Sequence, residues 1–255
     1  MKTKTLLNKL AKRYPKRLAK AWNDYVGLMC GKLPIEVNRI VLCLDFDRFI
    51  YKEAKAFKPD LIITHHPFIY GSKKEVLESD ASKKDLYLKL EKDNIPVYSM
   101  HTNFDDGIGG MNDALSLALG LQDIYTPSSC PSMRIGYLAK KMEIEDFCYY
   151  AKTRLNINYG LLTKGNDKAI KKVGIVGGGG SGFYKTAIEE GCDIYISGDA
   201  SHHIRREILI EEFNYLDLPH EIEKIFMPQM YSLLKEIDPS FEILIIDHEK
   251  EPQVI

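Results

Sequence analysis

DLIITHHP, residues 60–67, runs an apolar stretch directly into two adjacent histidines and a proline. Residues 61–64 show no alternation of polar and apolar side chains, which is the pattern of a strand buried on both faces. Pro67 holds the residue before it in extended backbone and helps to end the strand. The same order recurs along the chain. PVYSM runs into His101-Thr102-Asn103-Phe104-Asp105-Asp106, and DIYIS into Gly198-Asp199 and then His202-His203. FNYLDL runs into Pro219-His220-Glu221-Ile222-Glu223. Strands are expected at 39–44, 61–64, 97–100, 133–138, 173–176, 193–197, 213–218 and 241–246. Helices are expected between them, at 82–92, 111–119, 143–155, 182–190, 201–210 and 221–236. Strand–helix alternation of this kind predicts an α/β protein with mostly parallel sheets flanked by helices. Residues 126–132, TPSSCPS, break the rhythm with Pro and Ser. They suggest two linked α/β lobes, 1–127 with His65, His66 and Asp105, and 128–255 with a glycine-rich loop, His220 and Glu223.

The composition is that of an ordinary globular chain. Of 255 residues 45% are hydrophobic and 28% charged, and 35 Lys+Arg face 36 Asp+Glu. At this length folding hides roughly 70–75% of the surface an unfolded chain exposes. A net charge of −1 gives no field that argues for nucleic acid or an anionic membrane. The first twenty residues are locally basic, with apolar residues at helical spacing among them, as in an amphipathic surface helix. No window reaches 18 apolar residues, and the amino terminus lacks the apolar block of a signal peptide. Five scattered cysteines, none spaced as CxxC, suggest reduced thiols in a cytoplasmic protein. Cys43 and Cys192 read as small core residues.

In open α/β sheets ligands collect at the carboxyl ends of the strands, and six of the seven histidines fall there. Imidazoles and carboxylates together suit Zn, Fe, Mn and similar divalent ions. A pair of such ions roughly 3.5–4 Å apart can share a carboxylate and activate water. His65 and His66 point to opposite sides of an extended strand, but a turn at the strand end lets each reach its own ion. His220 and Glu223, three apart at a helix start, share a face. Asp105 is the natural bridging carboxylate, and His101 a ligand, a proton shuttle or a partner that orients one. A single histidine is more often structural, so the weight lies in the groups together. His202 and His203 are weaker candidates for substrate binding, since they precede two arginines on a helix with an exposed face, and His248 reads as surface. VGIVGGGGSG, with Gly178 and Gly179, could turn backbone N–H groups toward a phosphate, or serve as a tight turn that needs positive φ. It matches neither common nucleotide-binding glycine motif. No GxSxG elbow supports a serine nucleophile.

These residues resemble the GTP cyclohydrolase 1 type 2 homologue family, the Nif-three-like dinuclear metal proteins. The matching stretches are WNDYVGL (22–28), DLIITHHPFIY (60–70), HTNFDDGIGGMNDAL (101–115), RIGYL (134–138), VGIVGGGGSGF (173–183) and ISGDASHH (196–203). The resemblance implies a metal site between two lobes, two divalent cations, and a toroidal homo-oligomer, typically a hexamer. It places metal ligands on His65, His66, Asp105 and His220. The fifth departs from the pattern. The family usually has Gly-His-x-x-x-Glu, but here Pro219 replaces the glycine and Lys224 stands where the acid is expected. A shortened turn would make Glu223 the ligand, which is the favoured reading; the alternative is an altered site with weaker or single-metal occupancy. The implied activity is metal-assisted hydrolysis of a nucleotide, by the family's name the opening of the guanine ring of GTP, with His101 transferring protons. A metal-dependent phosphoesterase would use the same residues. A non-catalytic metal- or nucleotide-binding protein that acts through partners would also carry them.

Overall fold

Continuous apolar runs become strands wherever the sequence places them. The computed structural model, which describes residues 1–255, contains eleven: β1 (Gly27–Cys30), β2 (Arg39–Cys43), β3 (Leu61–Thr64), β4 (Val97–Ser99), β5 (Gln122–Tyr125), β6 (Arg134–Met142), β7 (Leu161–Thr163), β8 (Ile170–Ile175), β9 (Ile194–Ser197), β10 (Tyr215–Asp217) and β11 (Glu242–Ile245). All eight expected strands form. The three the sequence did not announce, β1, β5 and β7, are edge strands. An edge strand has one neighbour and partly exposed faces, so it needs no continuous apolar run; β5 has no buried residue.

The chain divides into two compact units, Met1–Gly110 with Phe226–Glu249, and Met111–Ile225 with Lys250–Ile255. In the first, the sheet order is β1-β4-β3-β2-β11. Strands β4, β3, β2 and β11 are mutually parallel, and β1 runs against β4. The Arg48–Phe57 helix crosses from β2 to β3 and the Ala81–Asp93 helix leads into β4. Asp47 starts the former, its carboxylate accepting from the N–H groups of Phe49 and Ile50 at 2.8 Å. Val41, Cys43, Ile62 and Val97 from the sheet pack with Ile50, Ala54, Leu86 and Leu90 from these helices. The basic amino-terminal stretch forms the Thr3–Arg13 and Lys16–Lys20 helices, burying Leu6 and Leu10 and leaving its lysines outside.

The second unit has sheet order β5-β6-β8-β9-β10-β7, in which β8, β9 and β10 are parallel and the outer pairings antiparallel. Residues 126–132 lie inside this unit. They connect β5 to its antiparallel neighbour β6, and Pro127, Cys130 and Ser132 are buried, so the segment is a packed turn. Arg134, only 2% exposed, meets both oxygens of Asp113 at 2.9 and 3.0 Å and fastens the Met111–Ala118 helix to β6. Cys192 packs in the core with Tyr184, Ala187 and Tyr195. All five cysteines are free thiols, and Cys43 is fully buried. No helix is long and apolar enough to cross a membrane.

Candidate functional site

Parallel strands put their carboxyl ends on one edge, and in the first unit that edge carries the chemistry. Leaving β3, the N–H groups of His65 and His66 both donate to the Leu44 carbonyl at 3.2 and 3.1 Å, where β2 ends. The hydroxyls of Thr64 and Ser99 each lie 2.8 Å from the His66 carbonyl oxygen. The turn is thereby pinned to both neighbouring strands, and the two imidazole rings stand with centroids 5.0 Å apart.

Each ring then finds an acceptor for Nδ1. His65 Nδ1 lies 2.9 Å from the Met100 carbonyl, His66 Nδ1 2.8 Å from Asp45, and His101 Nδ1 2.7 Å from Asp24. A carbonyl or carboxylate oxygen can only accept, so Nδ1 carries the proton and the lone pair of the neutral ring is on Nε2. The ligand atoms of His65, His66 and His101 lie within 4.8 Å of one another. Asp105, 7% exposed on the short Thr102–Asp106 helix, brings Oδ1 to 3.5 Å from His65 Nε2. Burial by itself raises the Asp24 carboxyl, but the His101 ring and the Thr102 hydroxyl outweigh it and hold the group below its ordinary value.

The second unit repeats the arrangement at the ends of β8, β9 and β10. After β9, Asp199 takes positive φ (+57°) and places Oδ2 2.6 Å from His220 Nδ1. After β10, residues His220–Ile225 wind as a 3₁₀ helix. With three residues per turn, side chains at i and i+3 eclipse, and Glu223 Oε2 comes to 3.1 Å from His220 Nε2. Lys224 turns elsewhere, its ammonium 3.3 Å from the Asn156 carbonyl and 3.9 Å from Glu251. The local winding thus brings the acid three residues on, and not Lys224, against His220. The Glu223 hydrogen bond, with Asp199 on the opposite nitrogen, pushes the His220 ring up to about 9.

Gly178 lies at φ +62°, and a Cβ there would collide with the Glu223 carboxylate and sit 3.1 Å from His220 Cε1. The glycine run therefore admits the carboxylate. Its N–H groups are partly spent, Gly177 on the Asn112 side chain at 2.7 Å and Gly180 on the Gly178 carbonyl at 2.8 Å. A Cβ at Gly179 would be 3.6 Å from Asp199 Oδ2, so negative charge stands where a phosphate cradle needs the opposite sign. His202 and His203 are exposed at the start of the His202–Ile210 helix, and His248 pairs with Glu53 at 2.7 Å.

Sequence reading placed Asp199 in a strand-end group without giving it a role, and did not single out Asp24 or Asp45. Asp45 and Asp199 lie two residues past the ends of β2 and β9, which is a usable signal; Asp24 reaches His101 across 77 residues and has none. The donor set fits divalent first-row cations, since it combines imidazoles with oriented Nε2 atoms and buried carboxylates. Asp199→Asn is expected to lower metal affinity in the second unit about 10- to 100-fold, because an amide presents its NH₂ to Nδ1 as readily as its oxygen. Calorimetric metal titration of this variant against wild type is the check.

The chain is similar to known proteins over nearly its whole length. The sequence profile described as Duf34/NIF3 (NGG1p interacting factor 3) matches residues 1–252. The GTP cyclohydrolase 1 type 2 homolog of Clostridium perfringens is 30% identical over 260 residues, covering 99% of this chain and 98% of that protein. That of Lactococcus lactis is 30% identical over 256 residues, covering 99% and 98%. Among solved structures, Staphylococcus aureus protein SA1388 shares the fold with a TM-score of 0.88 at 24% identity, covering 100% of this chain and 99% of that one. A Bacillus cereus protein related to NIF3 gives 0.88 at 20% identity with the same coverage. The match to the family profile over nearly the whole length establishes that this chain belongs to the Duf34/NIF3 family.

Proposed function

We propose that the chain is a metal-dependent hydrolase of a nucleotide, with two divalent cations held by His65, His66 and Asp105 of the first unit and by His220 and Glu223 of the second. The observation that carries this is the orientation of the rings. Four imidazoles have Nδ1 against an acceptor-only oxygen, which leaves Nε2 for a cation. Purely structural histidines have no need of so uniform an arrangement.

When bound, the cations supply Lewis acidity that activates water for attack on an electrophilic carbon or phosphorus. The protein does the rest. His65, His66 and His220 are held by Met100, Asp45 and Asp199, so no ordering of these rings is left to the moment of binding. Glu223 and Asp105 bring negative charge at 4% and 7% exposure, where it is weakly screened. His101 is suited to proton transfer. Asp24 keeps its Nδ1 protonated, and Nε2 is then the atom that takes a proton from water and returns it to the leaving group. The relatives are called GTP cyclohydrolase 1 type 2 homologs, and GTP ring opening is the first reaction to test.

The test is turnover of a nucleotide and phosphoester panel by metal-stripped protein, before and after reloading with Zn, Mn or Fe. Hydrolysis only in the reloaded protein is expected. Tightly bound metal with no turnover of any nucleotide or phosphoester would replace this reading with a binding role.

A further inference from the structure

Not all of the chemistry of the first unit is at the metal-ligating side chains. No acidic residue precedes Asp24 in the chain, and the basic amino-terminal stretch leads into an open cavity of about 340 Å³. We propose that this cavity binds the phosphate chain of a nucleoside phosphate through Lys16, Lys20 and Lys73, with Tyr25 against the base. The substrate is taken to be a nucleotide, as above.

Three lysines and one aspartate line the cavity. Asp24 Oδ2 accepts from His101 Nδ1 and from the Thr102 hydroxyl, both at 2.7 Å. Three lysines against one aspartate leave the lining net positive. Lys16 and Lys20 are four apart on one helix and share a face. Gly27, at φ +108°, leaves the space that the Lys16 ammonium fills, and that ammonium lies 5.9 Å from the Tyr98 ring centroid. The Lys73 ammonium donates to the Tyr87 hydroxyl and lies 4.2 Å from that ring's centroid.

The remaining wall is apolar, formed by Leu28, Met29 and Ile69. At its edge Tyr25 and Tyr70 meet edge-on, ring centroids 5.5 Å apart, and stay 40% and 58% exposed. An anion alone has no use for that surface. A base stacked on an aromatic ring, with its phosphates among lysines, uses both parts. Asp24 is shared with His101, so a ligand here would lie one hydrogen bond from the proton-transfer residue.

The experiment is titration of the full-length, metal-stripped chain with GTP and, separately, with inorganic triphosphate, in chelator. Both are expected to bind saturably and more weakly as salt rises. The double variant Lys16→Gln/Lys20→Gln is expected to lose at least about tenfold in affinity for both, and Lys73→Gln to weaken both in the same sense. Tyr25→Leu is expected to lose about fivefold or more for GTP and nothing for triphosphate, a separation that general damage to the fold would not produce. Unchanged affinity in the lysine variants, or no saturable binding by the wild-type chain, overturns the proposal. Because binding is read without metal, failure of turnover leaves it standing, and failure of binding leaves the metal reading standing.

Discussion

Replacing His65 with alanine is expected to abolish cation binding by the first unit, and turnover with it. The ring is fully buried and packs on His66, His101 and Phe226, with centroids 5.0, 5.1 and 5.0 Å away. Its Nδ1 is held by the Met100 carbonyl and its Nε2 faces Asp105 at 3.5 Å. No nearby side chain can swing into the vacated place, because His66 and His101 are tied to Asp45 and Asp24. Loss of an orienting partner costs about 10- to 100-fold in metal affinity, and loss of a ligand itself should cost more than about 100-fold. The alanine also leaves a cavity that lowers stability in its own right, so Asp105→Asn is the companion variant. It keeps shape and volume, removes only the negative charge, and should lower metal content similarly in a chain that unfolds at a wild-type temperature. Elemental analysis after gel filtration reads both. Full metal content and full turnover in the two variants would remove the first unit from the site.

Part of this architecture could be read before any coordinates, and the division has physical causes. Strands β2, β3, β4, β8, β9 and β10 are legible because parallel neighbours bury them and apolar residues dominate their buried stretches. The residues just after them are legible as chemistry because that edge is where βα loops converge. This is how DLIITHHP and HTNFD point to His65, His66 and Asp105 as candidates. The edge strands β1, β5 and β7 escape for the converse reason, and so does the role of residues 126–132, since a Pro/Ser-rich packed turn and a linker have the same composition. The carboxylates behind the histidines are harder still. Asp24, Asp45 and Asp199 act across 77, 21 and 21 residues through single hydrogen bonds, and no periodicity in the chain records such a contact. The glycine run was legible as a place where a side chain is excluded. That it excludes one in favour of Glu223 is a tertiary fact.

The register of the second-unit ligand is the sharpest case, because sequence comparison and local geometry disagree over it by one residue. Glu223→Gln is expected to lower cation affinity in the second unit more than about 100-fold, while Lys224→Gln leaves it unchanged. The 3₁₀ winding of His220–Ile225 puts Glu223 under His220 at 3.1 Å and sends Lys224 toward Asn156. The proton on His220 provides a second readout. Its folded pKa, raised to about 9 chiefly by Glu223, lies above the ordinary value of about 6.5. The pairing therefore stabilises the metal-free fold fully below about pH 6.5, and that contribution is lost as pH rises through about 9. Between those limits a cation that takes Nε2 must displace the proton from the ring. Metal titration of the wild type at pH 7.5 should then release a proton, seen as a binding heat that changes with the ionisation enthalpy of the buffer. Glu223→Gln should release less and should flatten the fall in metal-free stability from pH 6.5 to 9.5, whereas Lys224→Gln should keep both behaviours. Reversal of the two variants, with Lys224→Gln losing the metal and Glu223→Gln keeping it, would mean that the helix rewinds when the cation enters and that the family's usual spacing governs the site after all.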